Sequence, residues 1–512
     1  MTGAHTTMTE VRRNVPWTLL TYVMNRGITL AVTIILARLL SPADFGLVAL
    51  ALTIMFIFNI ASGLGLANVL ITERDLDKRV AGTLLTMMVV SGAIVALVVV
   101  AVAPAMAALF DEPNLEDVLA AVAPIILITS FTWFYDSLLQ RELRFARRLV
   151  ASITENAVYA AVALGLAIGG AGYWSLVGGQ LAGATAAATA FAVLATIRPR
   201  PAFHAKIARR AVSSGSGFLL QTGFGFVQQN ADFIIVGKML GPTPLGLYSA
   251  AYRIGDLPYS AIADPVSRVT FPAFVRLHWA GKAVGENFVR ATRIVIFVSA
   301  PIGILVSATA HPFVETILGE KWLPMAPALA IFGIWAVMRS IEGSMAWFLN
   351  SLGQARVVGI VSAALVAPLV AGIVLAALVG ITAVAAVILA HTLVLLGVLA
   401  VAIERHAGVT VTAQLLAARG ILVASAVAWL VAASISRGSE STLSPIVALL
   451  LGAFLGLLAY VIVIQLLDGQ LLRDSLAQLR QIRGKVSRTP PEPLAEPGAD
   501  TESGRVHAQR TT

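Results

Sequence analysis

Arg26 stands in the middle of an apolar run that opens just after Arg12 and Arg13. About eleven residues of helix carry it roughly 16 Å into that run, near half the thickness of a bilayer. An ionisable side chain at that depth costs about 2.5–3.5 kcal/mol and normally faces a cavity or a partner. Arginine keeps its proton there, and its planar fork matches phosphate oxygens two at a time. Two readings stand for Arg26: an anchor for a pyrophosphate group, or half of a structural ion pair with Asp232 or Asp256.

A second group follows helical spacing. Arg253, Asp256, Ser260, Asp264 and Arg268 are separated by 3, 4, 4 and 4 residues, so on one continuous helix they share a single polar sector. Such a stripe must line water or other polar groups. Arg253 is expected to join Arg26 on phosphate with Asp256 orienting or neutralising it, unless Arg253 and Asp256 simply satisfy each other. Asp232, after Gln228, Gln229 and Asn230, is a carboxylate suited to proton or sodium coupling or to serving as a counter-ion. Arg339 and Glu342 form either a headgroup contact or a structural pair. Asn25, Gln228, Gln229, Asn230 and Tyr252 are the side chains expected to meet hydroxyl-rich ligands, although interhelical hydrogen bonding is the default role of such groups. Asn59, Asn68, Gln140, Gln221 and Tyr259 belong to the same pool. Asp136, Glu155 and His391 read as packed or interfacial polar residues. Trp17, Trp174 and Trp322, near helix ends, read as interface anchors.

The elements that must carry these residues are membrane helices. Of 512 residues 58% are hydrophobic and 12% charged, with mean hydropathy +0.85, whereas soluble domains hold about 25% charged residues. Apolar runs predict fourteen spans, at 15–38, 44–71, 80–109, 117–140, 149–169, 173–197, 211–238, 245–275, 291–318, 323–350, 357–379, 381–403, 412–434 and 443–467. The first is too long for the core of a cleavable signal and is expected to remain as a helix. Roughly 28 Lys and Arg fall on one side of this scheme and about 4 on the other, which assigns both termini to the cytoplasm. The net charge of +9 is thus spread over short loops and does not form a nucleic-acid-binding patch. The chain has no cysteine, which excludes thiolate chemistry; no His/Cys cluster, P-loop or H-E-x-x-H provides a metal site or an enzyme signature.

A shift of 200 residues lays Ala31, Ile34, Ile35, Leu40, Pro42, Gly46, Leu47 and Ala51 over Ala231, Ile234, Ile235, Leu240, Pro242, Gly246, Leu247 and Ala251, with Arg38 opposite Lys238. Two six-helix lobes of equal orientation around a central cavity follow. The expected organisation is a cytoplasmic N-terminus (1–14), an N-lobe (15–197), a basic linker (198–210), a C-lobe (211–403), two added helices (404–467) and a cytoplasmic, partly disordered tail (468–512).

Five segments carry a likeness to a known family: R-L-L-S-P-A-D-F-G-L (Arg38 to Leu47), Q-R-E-L-R-F (Gln140 to Phe145), G-Y-W-S-L-V (Gly172 to Val177), D-F-I-I-V-G-K-M-L-G (Asp232 to Gly241) with G-L-Y (Gly246 to Tyr248), and G-E-K-W-L-P (Gly319 to Pro324). In order and spacing the chain resembles the Wzx-type polysaccharide flippases of the multidrug/oligosaccharidyl-lipid/polysaccharide superfamily. The resemblance implies an all-α bacterial inner-membrane flippase that moves polyprenyl-pyrophosphate-linked oligosaccharide by alternating access, alongside membrane lipids and polysaccharide polymerase or export machinery. It implies no cofactor, with membrane potential or a proton or sodium gradient as the drive. A cation-coupled multidrug exporter is the alternative, disfavoured because its cargo wants an acidic cavity where positive charge is expected here. A membrane polysaccharide polymerase is the third reading, disfavoured by the lack of a large loop.

Overall fold

The computed structural model describes residues 27–486, apart from 28, 62–63, 73–75, 143, 280–283 and 439–443. Every regular element in it is helical. In chain order they are α1 (Thr29–Leu39), α2 (Pro42–Ala61), α3 (Leu64–Thr72), α4 (Lys78–Phe110), α5 (Asn114–Arg141), α6 (Phe145–Ile168), α7 (Trp174–Leu194), α8 (Ala205–Leu240), α9 (Pro242–Gly255), α10 (Asp264–Trp279), α11 (Gly285–Ala308), α12 (Ala310–Phe313), α13 (Ala326–Ser351), α14 (Ala355–Ala377), α15 (Ile381–Ala407), α16 (Val411–Gly438) and α17 (Pro445–Val486). The described residues up to Leu467 form one compact unit and those from Asp468 a second, the backbone leaving helical geometry at Asp468.

Eleven helices among the described residues are long and apolar enough to cross a membrane, and the chain is a multi-pass membrane protein. Large apolar side chains such as Leu97, Ile168, Leu375 and Leu466 point outward, as a lipid solvent permits. Of the fourteen expected spans, the first lies largely outside the described residues, and the seventh and eighth do not meet that criterion. Helix α8 is long but carries Gln228, Gln229, Asn230 and Asp232, and the eighth span is interrupted. After Gly255 the chain passes through Pro258 into a π-helical turn, Tyr259–Ala263, and resumes as α10. Pro258 lacks the amide that a continuous helix would use. The stretch drawn as one helix is therefore broken, yet Arg253, Asp256, Ser260 and Asp264 still line one cleft; the side chain of Arg268 lies outside the described residues.

Another difference lies at the ninth span. It ends at Ala308, not near 318, because Pro312 opens a π-helical turn over Val314–Leu318, and a 3₁₀ segment over Glu320–Met325 then leads into α13. The apolar composition of this stretch made it look like helix.

The two halves meet where the sequence repeats. Ser41 caps α2, its Oγ accepting the Asp44 amide (3.2 Å) while Asp44 Oδ2 accepts the Ser41 amide (2.8 Å), the reciprocal arrangement of a capping box. One turn on, α2 crosses α9 so closely that a Cβ on Gly46 would lie 1.7 Å from the Pro242 carbonyl oxygen, and one on Gly246 would lie 1.8 Å from that of Pro42. Gly46 faces Pro242 as Gly246 faces Pro42, so the 200-residue repeat is a pseudo-twofold at this seam. Glycine is required because it lets two backbones touch. Helices α16 and α17 pack on α11 through Trp429 Nε1 to Ser307 Oγ (3.2 Å) and Tyr460 Oη to the Phe297 carbonyl (2.9 Å).

Candidate functional site

Beyond the glycine seam the lobes part. A cleft of about 500 Å³ opens between Ala49, Leu52, Thr53 and Phe56 of α2 and Gln229, Asn230, Phe233, Tyr252, Arg253, Asp256, Tyr259, Ser260, Asp264 and Arg339 of the C-lobe. An adjoining cavity of about 380 Å³ runs into the C-lobe, lined by Gln228, Asp232, Trp335, Glu342, Trp347, Asn350, His391 and Thr392 among others. The cavities share Gln229, Tyr252, Tyr259, Asp264 and Arg339.

Helix α9 delivers Arg253 to the cleft, where it is solvent-exposed. Among the described residues no ion pair or hydrogen bond holds it. Asp256, expected to neutralise Arg253, instead faces Arg339 across the cavity at 3.6 Å; this corrects the proposed Arg253–Asp256 pairing. The reason is the helix end at Gly255, which places Asp256 at the C-cap of α9. The Arg339 guanidinium lies over Tyr259 (4.6 Å) and Trp335 (5.2 Å), a cation–π arrangement that lowers the cost of burying it. Its Nε is buried without a hydrogen-bond partner. Asp256 is the ion-pair partner of Arg339 within 4 Å among the described residues, while Glu342 lines the inner cavity beside it, its charge acting on the same guanidinium.

Asp232 is 3% exposed and accepts a 2.6 Å hydrogen bond from the Tyr248 hydroxyl. Above that bond Phe233, Tyr248, Tyr252, Phe332 and Trp335 form a chain of edge-on and tilted rings with centroids 5.1–5.6 Å apart, and Trp335 Nε1 is fixed by Thr392 Oγ1 at 2.9 Å. Gln228, Gln229, Asn230 and Tyr252 all line the cavities. Arg26 and Asn25 lie outside the described residues, as does Trp17; so do the side chains of Asn68, Gln221 and Arg268. The two acids proposed as partners for Arg26, Asp232 and Asp256, are engaged by Tyr248 and Arg339.

The expected surplus of positive charge is not found in the described lining, which carries Arg253 and Arg339 against Asp232, Asp256, Asp264 and Glu342. The acids are not equivalent, however. Asp256 faces a guanidinium and Asp232 accepts a hydrogen bond from Tyr248, whereas Arg253 lines the cleft with no hydrogen bond or ion pair among the described residues. Asp136 accepts both bonds of a bidentate pair from Arg148, at 2.6 and 2.8 Å, and is structural. Trp322 is no interface anchor: it is fully buried and donates to the Ala37 carbonyl at 2.8 Å. Tyr248 and Trp335 were missed as site residues. The i, i+4 spacing of Trp335 and Arg339 on one helix was a usable signal for their cation–π contact.

Comparison with known proteins agrees with this architecture. Residues 35–327 match the model of a family described as polysaccharide biosynthesis protein. The succinoglycan biosynthesis transport protein ExoT of Rhizobium meliloti (strain 1021) is 24% identical over 347 residues, 68% of this chain and 70% of that protein. The lipopolysaccharide biosynthesis protein WzxC of Escherichia coli (strain K12) is 22% identical, covering 67% and 69%. In fold the chain is similar to the lipid II flippase MurJ in an inward closed conformation, with a TM-score of 0.73 and 14% identity over 88% of this chain and 99% of that one. It is also similar to an inward-facing multidrug resistance MATE family transporter of the MOP superfamily, with a TM-score of 0.56 and 15% identity over 77% and 95%.

Proposed function

Since the chain belongs to the polysaccharide biosynthesis protein family, we propose that it carries lipid-linked saccharides across a bacterial inner membrane, its lobes rocking about the glycine seam to expose the cleft to each side in turn. Both termini lie in the cytoplasm in this reading. The carrier tail stays in lipid while the pyrophosphate and sugars occupy the cleft. The observation that supports it best is Arg253: a fixed cation exposed to the space between the lobes, with no hydrogen bond or ion pair among the described residues. Leaving such a charge unpaired is unfavourable in lipid and favourable only where an anion visits. Gln228, Gln229, Asn230 and Tyr252 are the hydrogen-bonding groups for sugars, and Arg26 is proposed as a second phosphate contact. Asp232, beneath Tyr248, is proposed as the coupling carboxylate, with Asp256 and Glu342 compensating the Arg339 charge. The protein is a transporter in this reading and makes or breaks no covalent bond.

The test uses purified protein in liposomes loaded with undecaprenyl-pyrophosphate-linked saccharide extracted from cells lacking the gene. Arg253→Ala removes a charge-assisted contact worth about 1.5–3 kcal/mol, so flipping at limiting substrate falls about tenfold or more, whereas Arg253→Lys retains part of it. Unchanged flipping in Arg253→Ala would overturn the phosphate assignment.

A further inference from the structure

Three of the five segments that characterise the sequence come together at one face of the molecule, away from the cleft. Arg38, at the end of α1, donates from Nε to the Ile317 carbonyl (2.8 Å) and from Nη2 to the Thr316 carbonyl. In return Lys321 Nζ donates to the carbonyls of Arg38 (2.9 Å) and Leu40 (2.6 Å), and Trp322 Nε1 to that of Ala37 (2.8 Å). The Trp322 ring meets Phe45 edge-on at 5.3 Å. Gly319, at φ +103°, is the turn that lets the segment fold back: its Cα sits so near Arg38 that a Cβ would lie 3.1 Å from Nη1. The first helix of the N-lobe is thus clamped by the connection between the third and fourth helices of the C-lobe.

The repeat supplies the converse contact. Lys238 is the counterpart of Arg38, and its Nζ reaches Asp111 Oδ2 at 2.6 Å. Asp111 lies in the connection between α4 and α5, the N-lobe equivalent of 309–325, in a left-handed conformation (φ 55°) that ends α4. Each lobe therefore sends the cation at the end of its first helix into the same connection of the other lobe. The two contacts are unequal. The Arg38–Lys321–Trp322 clamp uses five hydrogen bonds to backbone carbonyls around a fully buried indole. The Lys238–Asp111 pair is exposed, the kind of ion pair that contributes little by itself.

We propose that these two contacts are a two-point latch, duplicated with the repeat, that holds the lobes shut on the face opposite the basic loops, and that both must release before the cleft can open there. The proposal rests on the alternating-access reading above. The clamp supplies most of the holding energy, and the ion pair fixes the approach of the second corner. Arg38, Lys238 and Lys321 are also three of the four lysines and arginines that break the one-sided distribution of basic residues, Arg437 being the fourth. Their placement against the topological rule for short loops is explained if the latch requires cations there.

The chain has no cysteine, so pairs can be introduced cleanly. With Asp111→Cys and Lys238→Cys, a reducible bis-methanethiosulfonate linker tethers the corner. In a separate variant set that lacks the tethering pair, a single free cysteine, Thr53→Cys in the cleft wall, reports access of a membrane-impermeant maleimide from outside intact cells. In the Thr53→Cys background, Lys321→Gln removes two charge-assisted bonds and should raise outside labelling about tenfold or more; Arg38→Gln should act in the same direction. Tethering 111 to 238 should stop polysaccharide export in cells, and reduction should restore it. Labelling unchanged by both Lys321→Gln and Arg38→Gln, or export undiminished after complete tethering, overturns the latch. If the untethered parent supports no export while Lys321→Gln still raises labelling, the latch stands and the transport reading fails.

Discussion

A methyl group placed at the glycine seam tests the pseudo-twofold contact directly. In Gly246→Ala the new Cβ would sit 1.8 Å from the Pro42 carbonyl oxygen, against 3.4 Å or more for ordinary contact, so α2 and α9 must part by roughly 1.6 Å in a close-packed interior. Overpacking of this kind costs about 1–3 kcal/mol, and backbone against backbone belongs at the upper end, about 3 kcal/mol. Alanine returns about 1 kcal/mol through helix propensity, leaving each single variant destabilised by about 2 kcal/mol. The seam's symmetry makes a sharper statement about the pair. Gly46→Ala needs the same separation as Gly246→Ala, so one movement relieves both clashes while both propensity gains are kept. The double variant should then be destabilised by about 1–2 kcal/mol, well below the sum of about 4 kcal/mol for the singles. Reversible unfolding in mixed micelles titrated with dodecyl sulfate measures all three, with Gly165→Ala as control, because a Cβ there meets nothing within 4 Å. Additive losses, or singles that behave like Gly165→Ala, would refute a shared seam.

Three further outcomes are expected. Tyr248→Phe deprives the buried Asp232 carboxyl of its side-chain donor and should cost about 1–3 kcal/mol in the same titration, with Asp232→Asn, which still accepts from Tyr248, costing less. Arg148→Ala leaves half-buried Asp136 without its bidentate partner and should lower the thermal midpoint, a loss partly recovered in the Arg148→Ala/Asp136→Ala double variant. If a pyrophosphate crosses outward through the cleft, about two negative charges move with an inside-negative potential, worth about 2.3 kcal/mol per charge per 100 mV; collapsing the potential in liposomes should slow outward flipping, and voltage-independent rates would remove potential as the drive.

Much of the architecture could be read from the residues because a lipid solvent leaves few choices for backbone hydrogen bonds. The expected spans 117–140 and 357–379 differ from Asn114–Arg141 and Ala355–Ala377 by a few residues, and Pro42, Gly46, Pro242 and Gly246, matched only by register, turned out to touch. What failed was local geometry inside apolar stretches. The break at Gly255–Ala263 and the turns at 309–325 occur where composition still says helix, and hydropathy does not sense a missing amide hydrogen bond. The site was legible as a pool of side chains but not as a set of pairs. Asp256 with Arg339 and Asp232 with Tyr248 depend on crossings of α8, α9 and α13 that no spacing rule encodes, and the same crossings turned Trp322 from an apparent surface anchor into a buried interlobe donor.

The last two helices fasten to the C-lobe through Trp429 and Tyr460, which bond to α11, and have no counterpart in the N-lobe. If the lobes rock as proposed, the half that carries two added spans displaces more lipid and meets greater viscous resistance. The lighter N-terminal half would then sweep through the larger angle in each cycle, and a rotational probe fixed to α6 should tumble through a wider cone than one fixed to α16.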